Sequence, residues 1–200
     1  MNTNAYRLCF WCLAHLLFDE VLLESIKDET KGALQADGTL NMAFLLEHCP
    51  LLSSFYEEIL RISNDPIGTR IVVQPVTIGN KTLLPGHKIL MPYRQMHYDP
   101  AVFGSNVSEF DPKRFLNNKN LARSTSYRPF GGAATHCPGR FLARREIYMF
   151  VVLTIHRFDI SLAEGKAAKF PRLDETIPSG GILTPVEGDG VTIKLKRSKG

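Results

Sequence analysis

Cysteine is scarce in these 200 residues. The four present, Cys9, Cys12, Cys49 and Cys137, are too few to staple a disulfide scaffold. Long apolar runs are also lacking. No stretch reaches the roughly 18 uninterrupted apolar residues of a membrane-spanning helix, and none near Met1 reads as a signal peptide. The longest apolar patch, Leu8 to Leu17, is broken by His15 and reads as a buried helix. Neither charge sign dominates: 24 Lys and Arg against 20 Asp and Glu leave +4. The cations are spread and not interleaved with aromatics, which argues against nucleic-acid binding. What remains, 44% hydrophobic and 22% charged, is the composition of a globular protein with chain enough for one core or two small ones.

Residues 5–18 are apolar nearly all round and predict a buried helix. Asp19-Glu20 opens a second helical pattern. Gly32 to Gly38 is a break, and Leu40 to Leu46 a short helix. Pro50 suits the first turn of the next helix, which runs to about Ile62. Arg70-Ile-Val-Val-Gln reads as a short strand. Val76 to Leu83 is a hairpin pattern turning at Gly79-Asn80. Pro85-Gly86 turns again before His87 to Pro92, so a small sheet is expected. Residues 117–127 are polar and irregular. Ala143, Ile147, Phe150, Val151 and Ile155 recur at helical spacing as a core-facing stripe. Beyond Asp159 come short strands and turns, with Val191 to Lys196 alternating as an edge strand does. The fold class is mainly α with a small β-sheet (α+β).

Several motifs read as packing. Cys9-Phe-Trp-Cys12 lies mid-helix, whereas a redox Cys-x-x-Cys places its first thiol at a helix N-terminus. His48-Cys49 and His136-Cys137 lack the spacing of a zinc site. Cys137 differs. It sits in Phe130-Gly-Gly-Ala-Ala-Thr-His-Cys-Pro-Gly-Arg140, a small-residue turn with a helical pattern directly after it. Free N–H groups and the positive end of a helix dipole favour a thiolate there. A thiolate is a soft metal ligand that suits haem iron, and the glycines let a flat macrocycle approach the backbone.

Phe130, Gly131, Cys137 and Gly139 resemble the cysteine-ligand loop of the cytochromes P-450, the haem-thiolate monooxygenases. Phe130 stands seven before the cysteine and Gly139 two after it. The loop departs from the family pattern at Ala133, where Gly is usual, and at Thr135, where Arg or His often contacts a haem propionate. Thr135 and Asn4 are similar to the branch containing cholesterol 7-alpha-hydroxylase and prostacyclin synthase. In Ser54 to Arg61, spacing alone lets Glu57 or Glu58 pair with Arg61. The family's Glu-x-x-Arg picks Glu58 and Arg61, joined by Arg114 from Phe110-Asp-Pro-Lys-Arg-Phe115 in a structural ion-pair set. Breaking such a buried set costs about 3–5 kcal/mol.

The resemblance covers the C-terminal part of the family's fold, so the chain is expected to be a fragment or truncated gene model. It implies segments at 1–66 (helical, with Glu-x-x-Arg), 67–95 (sheet), 96–136 (meander and ligand loop), 137–157 (helix) and 158–200 (C-terminal strands). It implies haem b, iron protoporphyrin IX, held by Cys137, with Phe130, Gly131, Gly139, Arg70 and Thr135 around it and Arg70 on a propionate. The oxygen-activating acid–alcohol pair falls at Thr3 and Asn4. An amide there hydrogen-bonds but passes no proton as a hydroxyl does; a simple helix N-cap is the alternative for Asn4. Ser179 to Pro185 resembles the C-terminal hairpin, placing Ile182 and Leu183 at substrate, or else in the core. Met96 to Pro100 resembles a structural segment. Lys113, Arg123, Arg128, Arg140, Arg144 and Arg145 form either a solvated face or a basic patch for an acidic electron donor. The expected activity is oxidation of a hydrophobic small molecule (lipid, steroid or secondary metabolite) with O2 and electrons from an NADPH-dependent reductase. The alternatives are a haem-thiolate isomerase of an oxygenated lipid and a non-catalytic remnant. A full-length relative would sit at the cytosolic face of the endoplasmic reticulum membrane, anchored by an N-terminal part that this chain lacks.

Overall fold

The computed structural model describes residues 3–132, 136–176 and 180–198. Helix α1 (Thr3–Leu17) is buried nearly all round, with Leu8, Trp11, Cys12 and Leu16 deepest. A helix with so little polar surface must be enclosed by other elements. Helices α2 (Glu20–Thr30), α4 (Pro50–Ser63) and α8 (Arg140–Arg157) enclose it. Helix α3 (Met42–Glu47) fills a gap beside α4 and α8. One core joins residues from Ala5 to Ile182, so the early helices, α8 and the C-terminal tail share a single apolar interior.

Local chemistry sets the helix starts. Asp19 caps α2 by accepting the Leu22 N–H at 2.9 Å, and Asn41 caps α3 through Phe44. Helix α4 opens on Pro50, and its cap comes from elsewhere in the chain. The Glu29 carboxylate of α2 accepts the Leu51 and Leu52 N–H groups, each at 2.8 Å. A carboxylate there also meets the positive end of the helix dipole.

The small sheet expected over residues 67–95 is two separate ribbons. β1 (Ile67–Ile71) pairs antiparallel with β4 (Lys88–Pro92), Ile67 opposite Pro92. β2 (Val76–Ile78) and β3 (Lys81–Leu83) form a nested hairpin through Gly79-Asn80. β1 begins three residues earlier than the β-branched run suggested, because β4 ends opposite Ile67 and fixes the register.

Helices α5 (Tyr93–His97), α6 (Pro100–Phe103) and α7 (Arg114–Asn117) follow. Phe103, Val107, Phe115, Leu121 and Tyr127 make a second, smaller cluster, so the polar stretch 117–127 is anchored by two apolar side chains. On α8 the buried face is Ile147, Tyr148, Val151, Val152 and Ile155; Phe150 turns outward, against expectation. The tail pairs β5 (Phe158–Leu162) with β6 (Ile193–Arg197), Phe158 opposite Arg197. No helix among the described residues is long and apolar enough to cross a membrane.

Candidate functional site: the Cys137 cavity

A cavity of about 730 Å³ opens between α1 and the Cys137 loop. That volume lies within the usual range for small-molecule sites, roughly 300–1,000 Å³. Its lining includes the start of α1, with Asn4, Ala5 and Leu8, and Cys137, Gly139 and Leu142. The rim includes Arg70 of β1, and the tail contributes Gly180, Gly181 and Ile182. Cys137 is solvent-exposed, whereas Cys9, Cys12 and Cys49 are buried. Burial pushes the Cys9 and Cys49 thiols up to about 11, and the Cys12 thiol well above its ordinary range. The Glu146 carboxylate adds to the effect on Cys9. These three thiols are therefore core packing.

The loop is tied down on both sides of the gap in its described residues. The Arg128 N–H donates to His97 Nε2 at 2.9 Å, and Asn64 Nδ2 donates to the Pro129 carbonyl. Gly131 takes φ +78°, a left-handed conformation that L side chains rarely adopt. The Cys137 N–H donates to the Phe130 carbonyl at 2.9 Å, closing the loop on itself. Helix α8 starts three residues after the thiol and has no side-chain cap. Its first amides and positive dipole end are thus left to whatever lies at the loop.

Behind the loop lies a buried charge cluster. Arg61 grips Glu58 through Nε and Nη2, both at 2.8 Å, and Arg114 Nε adds contacts at 3.1 and 3.2 Å. The Asp111 N–H donates to the same carboxylate. The remaining guanidinium donors reach carbonyls: Arg61 to His97 and Glu109, Arg114 to Phe103, Asn106 and Glu109. The cluster therefore bolts α4 to the ends of α5 and α6, to the loop 106–111 and to the start of α7. Glu57 goes elsewhere. It pairs with Arg144 of α8 and accepts the Tyr127 hydroxyl at 2.7 Å.

The other expected site residues fall as follows. Phe130, Gly131, Gly139, Arg70, Asn4 and Ile182 all reach the cavity wall. Arg70 Nη2 also donates to the Gly132 carbonyl at 3.4 Å. Thr3 is exposed and off the wall, because one helical step from Asn4 rotates it away. Asn4 is the second residue of α1, not its cap, and its Oδ1 accepts the Ile182 N–H at 3.1 Å. Leu183 is off the wall and fully buried, its carbonyl taking the Trp11 indole N–H at 2.8 Å. Ala133 and Thr135 lie outside the described residues. His97, Asn64, Arg7 and Trp11 escaped sequence reasoning, since each acts on a backbone group far along the chain.

Beside the loop, a second cleft is lined by Arg123, Arg128, His136, Arg140, Arg144 and Arg145. Arg144 is neutralised by Glu57, and Arg140 donates to the Cys137 carbonyl. Lys113 is not on this cleft.

An exposed thiol thus faces a cavity of this size, with glycines on either side of it in sequence and a buried Glu–Arg–Arg cluster nearby. Sequence comparisons supply the family. The profile of the family Cytochrome P450 matches residues 6–189. The chain belongs to the cytochrome P450 family. It is 29% identical to a cholesterol 7-alpha-monooxygenase of Cricetulus griseus, over 98% of this chain and 43% of that protein. It is 30% identical to a cytochrome P450 monooxygenase of Gibberella zeae, over 98% and 41%. A 7-alpha-hydroxycholest-4-en-3-one 12-alpha-hydroxylase of Oryctolagus cuniculus is 28% identical, over 94% and 41%. The chain thus spans about two fifths of the length of these curated relatives.

The family implies a haem cofactor, and the residues present fit one. Cys137 offers a soft ligand at the cavity face. Gly139 keeps the backbone open beside it: a Cβ there would stand 3.9 Å from the Cys137 sulfur. Leu142 and Ala143 give an apolar flank, and Arg70 puts a cation at the rim.

Proposed function

We propose that this chain carries the haem-ligand region of a monooxygenase acting on a hydrophobic small molecule of the steroid, lipid or secondary-metabolite kind. The observation that carries the reading is Cys137 exposed on the wall of a cavity that the start of α1 also lines. Haem b, when bound, supplies oxygen activation with electrons from a reductase, and a thiolate ligand promotes O–O cleavage. The chain's own residues do the rest. Cys137 holds the iron, with Phe130 and Gly131 shaping the loop before it. Arg70 neutralises a propionate. Ile182, Ala5 and Leu8 present apolar surface to substrate and exclude water from it. The arginine-lined cleft beside the loop receives an acidic, NADPH-dependent reductase. The names of the cholesterol and 7-alpha-hydroxycholest-4-en-3-one hydroxylases favour a sterol as substrate.

Asn4 supports a second reading. Its carboxamide cannot relay a proton as a hydroxyl does, and an isomerase of an oxygenated lipid needs no external electrons. Full chain loaded with haem and reduced under carbon monoxide should give a thiolate-type Soret band, absent in Cys137→Ala. No such band in the wild type sinks the haem-thiolate reading. Reductase-driven NADPH consumption with a sterol present separates monooxygenase from isomerase.

A further inference from the structure

Three side chains on one face of α1 hold the tail by its backbone. Asn4 Oδ1 accepts the Ile182 N–H at 3.1 Å, Arg7 Nη1 donates to the Ile182 carbonyl at 3.0 Å, and Trp11 Nε1 donates to the Leu183 carbonyl at 2.8 Å. Positions 4, 7 and 11 follow helical spacing, so the three line up along the axis. From the other side, Ser63 accepts the Leu183 N–H and the Asp65 N–H donates to the Gly181 carbonyl, both at 2.8 Å. The segment 181–183 is therefore clamped between α1 and the end of α4. Only the Asn4 end of the clamp lies on the cavity.

Gly181 is moulded to Asn4. A Cβ on Gly181 would fall within 2.6 Å of the Asn4 side-chain carbon Cγ, closer than real Cβ contacts come. The carboxamide is short and engaged by Ile182, so it cannot swing clear as the tip of a long side chain would. How far Gly181 and Ile182 stand into the cavity is thus set by the size of the residue at position 4.

We propose that Asn4 is a positioning residue that latches the 181–182 wall and so selects substrates by bulk. This rests on the cavity being the substrate site of the proposed monooxygenase. Asn4 acts through Ile182, which lines the cavity and is anchored in the core, only 4% exposed. The same cavity with the latch displaced would admit a different balance of rigid and flexible apolar molecules.

The test uses the full chain loaded with haem and two probes, progesterone as a bulky steroid and dodecanoate as a slender lipid. Binding is read from Trp11, the chain's single tryptophan, which touches the latched segment. Gly181→Ala should shift the progesterone-to-dodecanoate affinity ratio by about tenfold. Adding Asn4→Ala should restore the ratio, because the added methyl then has room. Amide exchange gives an independent reading: Ile182 should exchange faster in Asn4→Ala and stay protected in Asn4→Asp, which keeps the acceptor. Leu183, bonded to Ser63, should not change. An unchanged ratio in Gly181→Ala, no rescue by the second substitution, or unaltered Ile182 exchange in Asn4→Ala overturns the proposal. A chain that passes these tests yet shows no thiolate Soret band keeps its latch and loses its monooxygenase reading.

Discussion

His97 shows how much one buried side chain does here. It is fully buried on α5, and its Nε2 accepts the Arg128 N–H at the start of the cysteine loop. The proton of the neutral ring is then on Nδ1, which has no hydrogen-bond partner among the described residues. Burial lowers the imidazole from its ordinary 6.5 to about 4, with Arg61 and Arg94 adding positive charge nearby. A depressed histidine contributes stability that is complete above about pH 6.5 and is lost as pH falls towards 4, because the unfolded chain takes up the proton first. The loss is on the order of 3 kcal/mol. Urea unfolding at pH 7 and pH 5 should show the chain weaker at pH 5, and His97→Gln should flatten that dependence. Some of it should persist, since burial lowers His15 to about 3 in the same direction. A slope unaffected by His97→Gln would refute the assignment.

Legibility at this scale followed sequence distance. Glu58 and Arg61 were readable because three residues separate them within one helix, and the family motif then singled out Arg114. Glu57 was not. Its partners Tyr127 and Arg144 stand 70 and 87 residues away, a pairing that only the packed chain creates. The Asn4 contact with Ile182 spans 178 residues and was hidden for the same reason.

Among elements, the long helices were read well, whereas the short α5, α6 and α7 were missed and the strands were read less well. Apolar spacing fixes a helix from within, whereas a strand takes its ends from its partner, as β1 does from β4. The stripe on α8 failed at Phe150, which belongs to the outward face with Phe141, Leu142 and Met149. The Glu29 cap on α4 is another tertiary feature. This carboxylate holds the helix that carries Glu58 and Arg61, so its loss should loosen more than one turn. Glu29→Ala should cost about 1–2 kcal/mol in denaturant unfolding, as lost caps do. Glu29→Gln, which keeps one acceptor oxygen, should recover part of that. Equal stability of all three proteins would show that the two amides are satisfied without Glu29.

For the whole molecule, the cavity and its apolar flank make stability depend on what fills them. Leu142, on the cavity wall at the start of α8, stands 61% exposed. A ligand that binds only the folded chain stabilises it by about 2.7 kcal/mol at 100 times its dissociation constant. Haem should therefore raise the thermal midpoint followed by circular dichroism, progressively with concentration, and Cys137→Ala should remove most of the rise. A midpoint indifferent to haem in the wild type would mean that the folded chain does not bind it.

The nested hairpin bears on handling the protein. β2 and β3 pair only with each other, and every residue from 73 to 82 is exposed. A Cβ on Gly79 at its tip would meet nothing within 4 Å among the described residues, while β1, at its root, carries Arg70 to the cavity. An epitope or fluorophore spliced between Gly79 and Asn80 would ride clear of both clefts, giving a handle for immobilising the chain with its cavity undisturbed.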